Sequence, residues 1–462
     1  MIGIKDKTTE ELLQRAIQSL DPNKYNSRLV SITEEINDTD PMEFFEAAKV
    51  AGKDRVFWTS TEDEFILVGA GNAWEIAAEQ DRIESTEEQW EYVLKTAVIR
   101  NPYKVPGTGA VALGGMTFDP EKERSGLWES FRPSLFTIPE YIMTKQQGSC
   151  YLTINIQVCK NDHPVQLARQ VQDTAKTLLT GGGTKLQNFR VSSKEEIAPQ
   201  HWKETIRRAT EKIQQGEAEK IVLARELRLT FDRGADISNI IRKLMKTQPN
   251  SYLFCFEKGD DCFLGATPER LVRLEEDKLL SACLAGTAPR GETKEEDERI
   301  GRELYHDRKN RQEHEFVVQM IRNALEHRCT DISIPEAPVL YPLKNLQHLY
   351  TPVAATLKDE YSIFDIVEQL HPTPALGGTP RQESLEFIRQ NEQLDRGWYG
   401  APVGWLDSNR NGEFAVAIRS SLIRGKEASL FAGCGVVADS NPEEEYQETK
   451  IKFLPMLSVL GE

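Results

Sequence analysis

The sequence predicts an α+β protein: large, mixed, mostly antiparallel sheets with surrounding helices. Strand-like segments of two-residue period and helix-like segments of longer period are interleaved along the chain. Many neighbouring strands are joined by a tight polar turn, which suits antiparallel pairing and is too short for the crossover of a parallel pair. With 462 residues, 39% of them hydrophobic, the chain can bury a large core. It contains no apolar run long enough to cross a bilayer. No fixed-period repeat or low-complexity linker divides it, so one large mixed domain is expected rather than two separable ones.

Taken in order, the chain opens with a charged, amphipathic helical arm, MIGIKDKTTEELLQRAIQSL, that has no apolar signal core. RVFWTSTEDEFILVGA (55–70) reads as a hairpin, and SLFTIPEYIMTKQQGSCYLTINIQV (134–158) as a second, turning at Gln146 to Ser149. A helix from about His163 to Thr180 runs into TGGGTK, which lacks the Walker pattern and reads as a loop closing the helix. From about Ser193 the elements lengthen. A helix over 195–215 leads to the strand KIVLARELRLTF (220–231), a helix near 236–247 and the hairpins SYLFCFEKGDDCFLGA and RLVRLEEDKLLSACLAG. One long charged helix is expected over roughly 293–328, then the hairpins GAPVGWLDSNRNGEFAVAIRSSLI and GKEASLFAGCGVVA, and a closing helix. Residues 1–190 are expected to form an N-terminal α/β portion packing on the same core as the rest.

A formal net charge of −16 opposes binding to nucleic acid or to an anionic membrane. An anionic ligand must then be met by local cations or by a metal. The seven cysteines, at 150, 159, 255, 262, 283, 329 and 434, form no C-x-x-C pair and suit reduced thiols. With the charged start, this points to the cytoplasm. There is no H-E-x-x-H, G-x-S-x-G or P-loop, and the histidines lack metal-binding spacing. Any catalysis must rest on carboxylates and lysines, with room for a hard metal.

The closing helix shows where such chemistry could sit. In NPEEEYQETKIKF (441–453), Asn441 followed by Pro442 is a helix start, and Glu443 and Glu444 lie where a helix N-terminus favours negative charge. Glu445, Glu448 and Lys452 share one stripe. A surface Glu448–Lys452 pair would explain two of them at a few tenths of a kcal/mol. A second helix, DRKNRQEHEFVVQMI (307–321), places Glu313 where its charged part gives way to apolar residues. Carboxylates from two helices, completed by water, are a common way to hold Mg²⁺ beside an anionic substrate.

An ordered series of blocks, KIVLAR (220–225), LGATPERL (264–271), LAGTAPRG (284–291), RQEHEFVV (311–318), LQHLYTPV (346–353), HPTPALGGTP (371–380), RGWYGAPVGW (396–405), AIRS (417–420), AGCG (432–435) and EEEYQETKIKF (443–453), resembles the chorismate-binding enzymes. The resemblance covers about 190–455 and implies that 191–456 is the chorismate-binding catalytic region. Within the family, Lys220 resembles the members that add water to chorismate, where the ammonia-using members carry glutamine. Ala285 stands where aminodeoxychorismate synthases place a nucleophilic lysine, and Ala375 where salicylate synthases tend to have threonine. The best fit is an isochorismate synthase of the menaquinone-pathway type, a Mg²⁺-dependent isomerase. A salicylate synthase or another chorismate-utilising enzyme, or a non-catalytic chorismate-binding protein, are the alternatives, and no obligatory protein partner is inferred.

The same resemblance implies Lys220 as general base, Glu269 as general acid, Glu313 and Glu448 as Mg²⁺ ligands, and Glu445 as an outer partner acting through water. It implies substrate contacts at Gly286, Thr287, His348, Ala375, Leu376, Tyr399, Arg419, Gly433, Gly435 and Lys452. For His348 a purely structural role is equally compatible with the sequence. Acid–base work near pH 7 requires a glutamate with a raised pKa and a lysine with a lowered one. Val222 and Ala224, on the strand face of Lys220, offer an apolar surround, and Glu269 follows the apolar FLGATP. The plainer reading of Lys220 is a lysine on a sheet edge.

Overall fold

A computed structural model describes residues 6–21, 23–60, 64–181, 188–342 and 346–461; the side chains of 6–8 and 313 lie outside the description. From residue 182 onward the TGGGTK loop lies outside it. Among the described residues the strands form two sheets, of thirteen and ten strands. Every described pairing is antiparallel except that of Ser27–Ile36 with Val98–Arg100. Strands from both sides of residue 190 enter each sheet: Arg55–Ser60 pairs with Tyr252–Lys258 in the larger, and Val111–Met116 with Pro402–Asp407 in the smaller.

The sheets face each other across an aromatic layer containing Trp58, Trp128, Phe131, Phe263, Trp398 and Trp405, all nearly inaccessible. Burial of so many large rings is the main drive for closing one sheet on the other. Helices cover the outer faces. Pro164–Thr180, Ile237–Thr247 and Pro442–Leu460 pack on the larger sheet, and Arg308–Glu326 and Ile363–Leu370 on the smaller. Among the described residues no helix is long and apolar enough to cross a membrane.

Several predicted hairpins form as expected, including Arg55–Ser60 with Phe65–Ala70 and Tyr252–Lys258 with Asp261–Thr267. Tyr141–Gln146 and Ser149–Cys159 turn through Gln147 and Gly148, both at positive φ, a geometry whose twist matches that of the strands. Ser134–Ile138 does not join that hairpin; it pairs with Val111–Met116 and Trp74–Ala78 in the other sheet. Its period gives no warning, because strands buried on both faces lose the apolar/polar alternation that marks a side.

The helix expected over 195–215 begins at Pro199, preceded by a polar edge strand, Val191–Glu196, against Leu227–Phe231. The long helix expected over 293–328 is two, Lys294–His306 and Arg308–Glu326. Asp307 stands between them in an extended conformation, its carboxylate accepting from the Asn310 amide at 2.8 Å. GKEASLFAGCGVVA is one strand, Glu427–Val436, and its turn lies before it, at Gly425.

Two strand connections matter for the site. Asp261–Thr267 belongs to the larger sheet and Arg270–Glu275 to the smaller, so the chain crosses between sheets at Pro268 and Glu269. Gly412–Val416 and Ser420–Arg424 are divided likewise, and the crossing is Ala417 to Arg419, with Arg419 at φ +52°. The two crossings are tied together: the Val416 amide donates to the Glu269 carbonyl at 3.0 Å and the Ala266 amide to the Arg419 carbonyl at 3.1 Å.

Candidate active site

Where the sheets part, a cavity of about 310 Å³ opens. Its wall carries Lys220, Val222 and Ala224 from one face of Lys220–Phe231, and Gly433 and Gly435 from the neighbouring Glu427–Val436. Lys220 is not on a sheet edge. Gly378–Thr379 pairs it on one side, and the Glu427–Val436 strand lies on the other. The glycines make room for it: a Cβ at Gly435 would come 2.6 Å from Lys220 Cε. Gly435→Ala is therefore expected to keep the melting temperature while lowering turnover at least about tenfold, because the lysine side chain yields more easily than the sheet. Parallel thermal-unfolding and rate measurements test this.

Glu269, at its crossing, lines the same cavity. Withdrawal from bulk water raises its pKa to about 7, against the lowering pull of Arg419, Lys220 and Lys452. The raised carboxyl expected from the sequence is present, and its neighbours are cations that would otherwise keep it ionised.

Arg419 reaches the cavity from the second crossing. Burial lowers its pKa, opposed by the fields of Tyr399, Glu269 and Glu448. Its half-buried guanidinium makes no hydrogen bond or ion pair to a described side chain or carbonyl, although a cation drawn out of bulk water normally has such a partner. The cavity thus holds an arginine prepared for an anion. Lys452 is partly engaged, donating to the Gly433 carbonyl at 2.9 Å and pairing with Glu448 at 2.5 Å.

Glu445 and Glu448, one turn apart on Pro442–Leu460, both face the cavity. The stripe seen in the sequence is therefore both an i,i+4 pair and part of the cavity wall. Glu445 accepts from Ser440 Oγ at 2.7 Å, and its pKa is raised first by burial and then by the charge of Glu448. Two carboxylates one turn apart on a cavity wall offer oxygen-only donors that suit a hard divalent cation. Among the described residues, no group of three or more His, Cys, Asp and Glu converges. Glu313 lies on Arg308–Glu326, but its side chain is outside the described residues.

The remaining wall gathers Gly286, Thr287 and His348 from two paired strands, with Ala375, Leu376 and Tyr399. Gly286 takes φ +79°, which favours glycine. His348 Nδ1 lies 3.0 Å from Thr287 Oγ1, while Nε2 is buried without a partner among the described residues. Burial, then the charge of Arg419, holds its pKa down at about 3, so it works as a neutral imidazole. Burial pushes the Tyr399 hydroxyl well up, so it remains a donor.

The sequence did not single out Asn310, Lys309 or Arg396, which also line the cavity. Asn310 Oδ1 accepts from the Thr287 amide at 3.3 Å, and only the break at Asp307 brings it there. Arg396 lay inside a quoted block, RGWYGAPVGW, but its role is tertiary. On the open side of Lys220–Phe231, between Gly378–Thr379 and Val191–Glu196, it donates to the Val222 carbonyl at 2.8 Å and to the Leu376 carbonyl at 3.1 Å. Its partner Glu392, at 2.6 Å, accepts from the Ala224 amide at 2.7 Å. The ion pair thus stands in for a missing strand. Both residues are almost fully buried (4% and 3% exposed), so Glu392→Gln leaves an uncompensated guanidinium and should cost about 3–5 kcal/mol in denaturant unfolding.

The family model for chorismate binding enzymes matches residues 12–461. The chain belongs to the chorismate-binding enzyme family. It is 41% identical to the isochorismate synthase MenF of Bacillus subtilis over 94% of this chain and 93% of that protein. It is 35% identical to the salicylate biosynthesis isochorismate synthase of Pseudomonas aeruginosa, over 94% and 90%. Among solved structures, the menaquinone-specific isochorismate synthase MenF of Escherichia coli superposes with a TM-score of 0.79 at 23% identity, covering 98% and 99%. Anthranilate synthase component I of Streptococcus pneumoniae superposes at 0.70 and 20% identity, covering 85% and 92%. At such identities the likeness is one of fold, and the chorismate-binding fold is the predicted mixed, largely antiparallel one.

Proposed function

We propose that the protein is an isochorismate synthase, an isomerase that converts chorismate reversibly to isochorismate by adding water at C2 with loss of the C4 hydroxyl. The observation carrying this is one cavity that joins Lys220, a carboxyl titrating at about 7 in Glu269, and Arg419, which has no partner among the described residues. The similarity to two isochorismate synthases along nearly the whole chain supports it. Lys220 takes the proton of the attacking water and Glu269 gives one to the departing hydroxyl. Arg419 and Lys452 receive substrate carboxylate oxygens, and the Tyr399 hydroxyl, the Gly286–Thr287 turn and neutral His348 supply further contacts. Ala375, Leu376, Gly433 and Gly435 shape the space for the ring.

The carboxylates of Glu445 and Glu448 on one cavity wall fit Mg²⁺, and the family resemblance gives the ligand roles to Glu313 and Glu448, with Glu445 acting through water. Bound Mg²⁺ supplies Lewis-acid and templating chemistry to a substrate carboxylate. Glu448→Gln is expected to raise the Mg²⁺ concentration for half-maximal turnover at least about tenfold. A direct Mg²⁺ titration unchanged from wild type would remove Glu448 from the ligand set.

The reading places the enzyme in the cytoplasm and in menaquinone formation, acting without nucleic acid, membrane or an obligatory protein partner. It is tested by incubating the purified protein with chorismate and Mg²⁺ and identifying the product by chromatography. Isochorismate as the main product is expected; salicylate as the main product would move the assignment to salicylate synthase, and no conversion would refute it.

A further inference from the structure

Arg225 ends the KIVLAR block but does not line the candidate active site. Alternation along Lys220–Phe231 turns it to the face opposite Lys220, Val222 and Ala224, where it is 3% exposed. There it meets Pro442–Leu460. Its Nε donates to Thr449 Oγ1 at 2.8 Å, and its guanidinium lies 4.2 Å from the Tyr446 ring centre and 5.0 Å from that of Phe453. Glu196, at the end of the edge strand Val191–Glu196, accepts from Arg225 Nη1 at 3.1 Å and from the Tyr446 hydroxyl.

These contacts repeat the cavity stripe, moved by one position. Glu445, Glu448 and Lys452 line the cavity, and each is followed by a residue that meets Arg225: Tyr446, Thr449 and Phe453. Consecutive residues of a helix point about 100° apart, so the rotation that satisfies Arg225 also fixes where the carboxylates point. Little else fixes it. Among the described residues of 442–452 only Tyr446 and Thr449 are buried, whereas Phe453, Met456, Leu457, Val459 and Leu460 beyond them sink into the core. Pro455 weakens the link between the two parts, because it has no amide hydrogen to give to the Ile451 carbonyl. The first part is otherwise held by flexible lysine side chains, Lys203 to Glu443 at 2.5 Å and Lys452 to the Gly433 carbonyl at 2.9 Å. The planar guanidinium of Arg225 is the stiffer contact.

We propose that Arg225 is a positioning residue for the cation site: it sets the rotation of the 442–452 part of the last helix, and so keeps Glu445 and Glu448 turned to the cavity to bind a divalent cation. The first half stands on the contacts of Arg225; the second rests on the reading of Glu448 as a Mg²⁺ ligand.

Arg225→Met keeps the length and apolar packing of the side chain and removes the guanidinium. Hydrogen exchange of the full chain without ligand tests the first half. Segment 442–453 should gain at least about tenfold in exchange rate over any change in the core hairpin Tyr252–Thr267. Equal change in both segments, the mark of a residue that only stabilises the fold, overturns the clamp, and so does no change. Mg²⁺ alone, titrated calorimetrically without chorismate, tests the second half. Its Kd should rise at least about tenfold in Arg225→Met, and at least about threefold in Thr449→Val, which removes the hydroxyl that accepts from Arg225. In the Glu448→Gln background the further loss on adding Arg225→Met should shrink below about threefold, because both changes act on one site. An undiminished loss there overturns the second half, as does wild-type Mg²⁺ affinity in both single variants. Thr449→Val carries both arms if Arg225→Met does not fold. Wild type that binds no Mg²⁺ refutes the metal reading and the second half with it. The exchange arm needs neither metal nor turnover and decides the first half by itself.

Discussion

Lys220→Ala is expected to lose at least about a thousandfold in turnover of chorismate, within the range that a positioned general base contributes, while substrate affinity falls less than about tenfold. Lys220 lies inside a sheet, paired on one side by Thr379 with Glu427–Val436 on the other, so alanine preserves the backbone ladder and the fold. Lys220→Arg separates a base from a mere positive charge. Arginine keeps the cation but cannot lose its proton at working pH, and should be as inactive as alanine. Turnover by Lys220→Arg near the wild-type rate, measured beside calorimetric binding, would take the base role from this residue.

Glu269→Gln is expected to cost about a hundredfold to ten-thousandfold in turnover, with a diagnostic change in pH dependence. A general acid works while it holds its proton. With Glu269 titrating at about 7, wild-type activity should decline as pH rises through that value. Arg419 lowers the Glu269 pKa in the free protein, so a substrate carboxylate that occupies Arg419 should move the decline in kcat above that in kcat/KM. The residual activity of Glu269→Gln should lack this decline.

The same group leaves a mark on stability. Its folded pKa is raised from 4.5 to about 7, so between those values the folded protein holds a proton that the unfolded chain has released. Its contribution is thus complete below about pH 4.5 and lost as pH rises to about 7. Glu269→Gln should flatten that part of the stability profile in denaturant titrations at several pH values.

Much of this was legible because it is written locally. Alternation of apolar residues across short polar turns located the hairpins around Arg55–Ala70 and Tyr252–Thr267, and Asn441–Pro442 located the start of the last helix. Spacing of three and four put Glu445, Glu448 and Lys452 on one stripe, and all three line the cavity. Other features were hidden for definite reasons. Ser134–Ile138 is buried on both faces, so its pattern does not say which sheet it joins. A single capping aspartate splits a charged segment whose helical period is continuous, and that break brings Asn310 to Thr287. Arg396 and Glu392 are an ordinary i,i+4 pair on paper; only the gap beside Lys220–Phe231 makes them a surrogate strand.

The sequence by itself determined the class of fold, the order of most elements and the residue types available for chemistry, because propensity, period and ordered motifs are properties of neighbouring positions. Which of those residues meet was decided by tertiary structure alone. Glu269 and Arg419 lie 150 positions apart in chain numbering. They share a cavity because each stands where the backbone leaves one sheet for the other. The pKa of Glu269 follows from the surroundings assembled there, since desolvation and the fields of distant charges exist only once the sheets have closed.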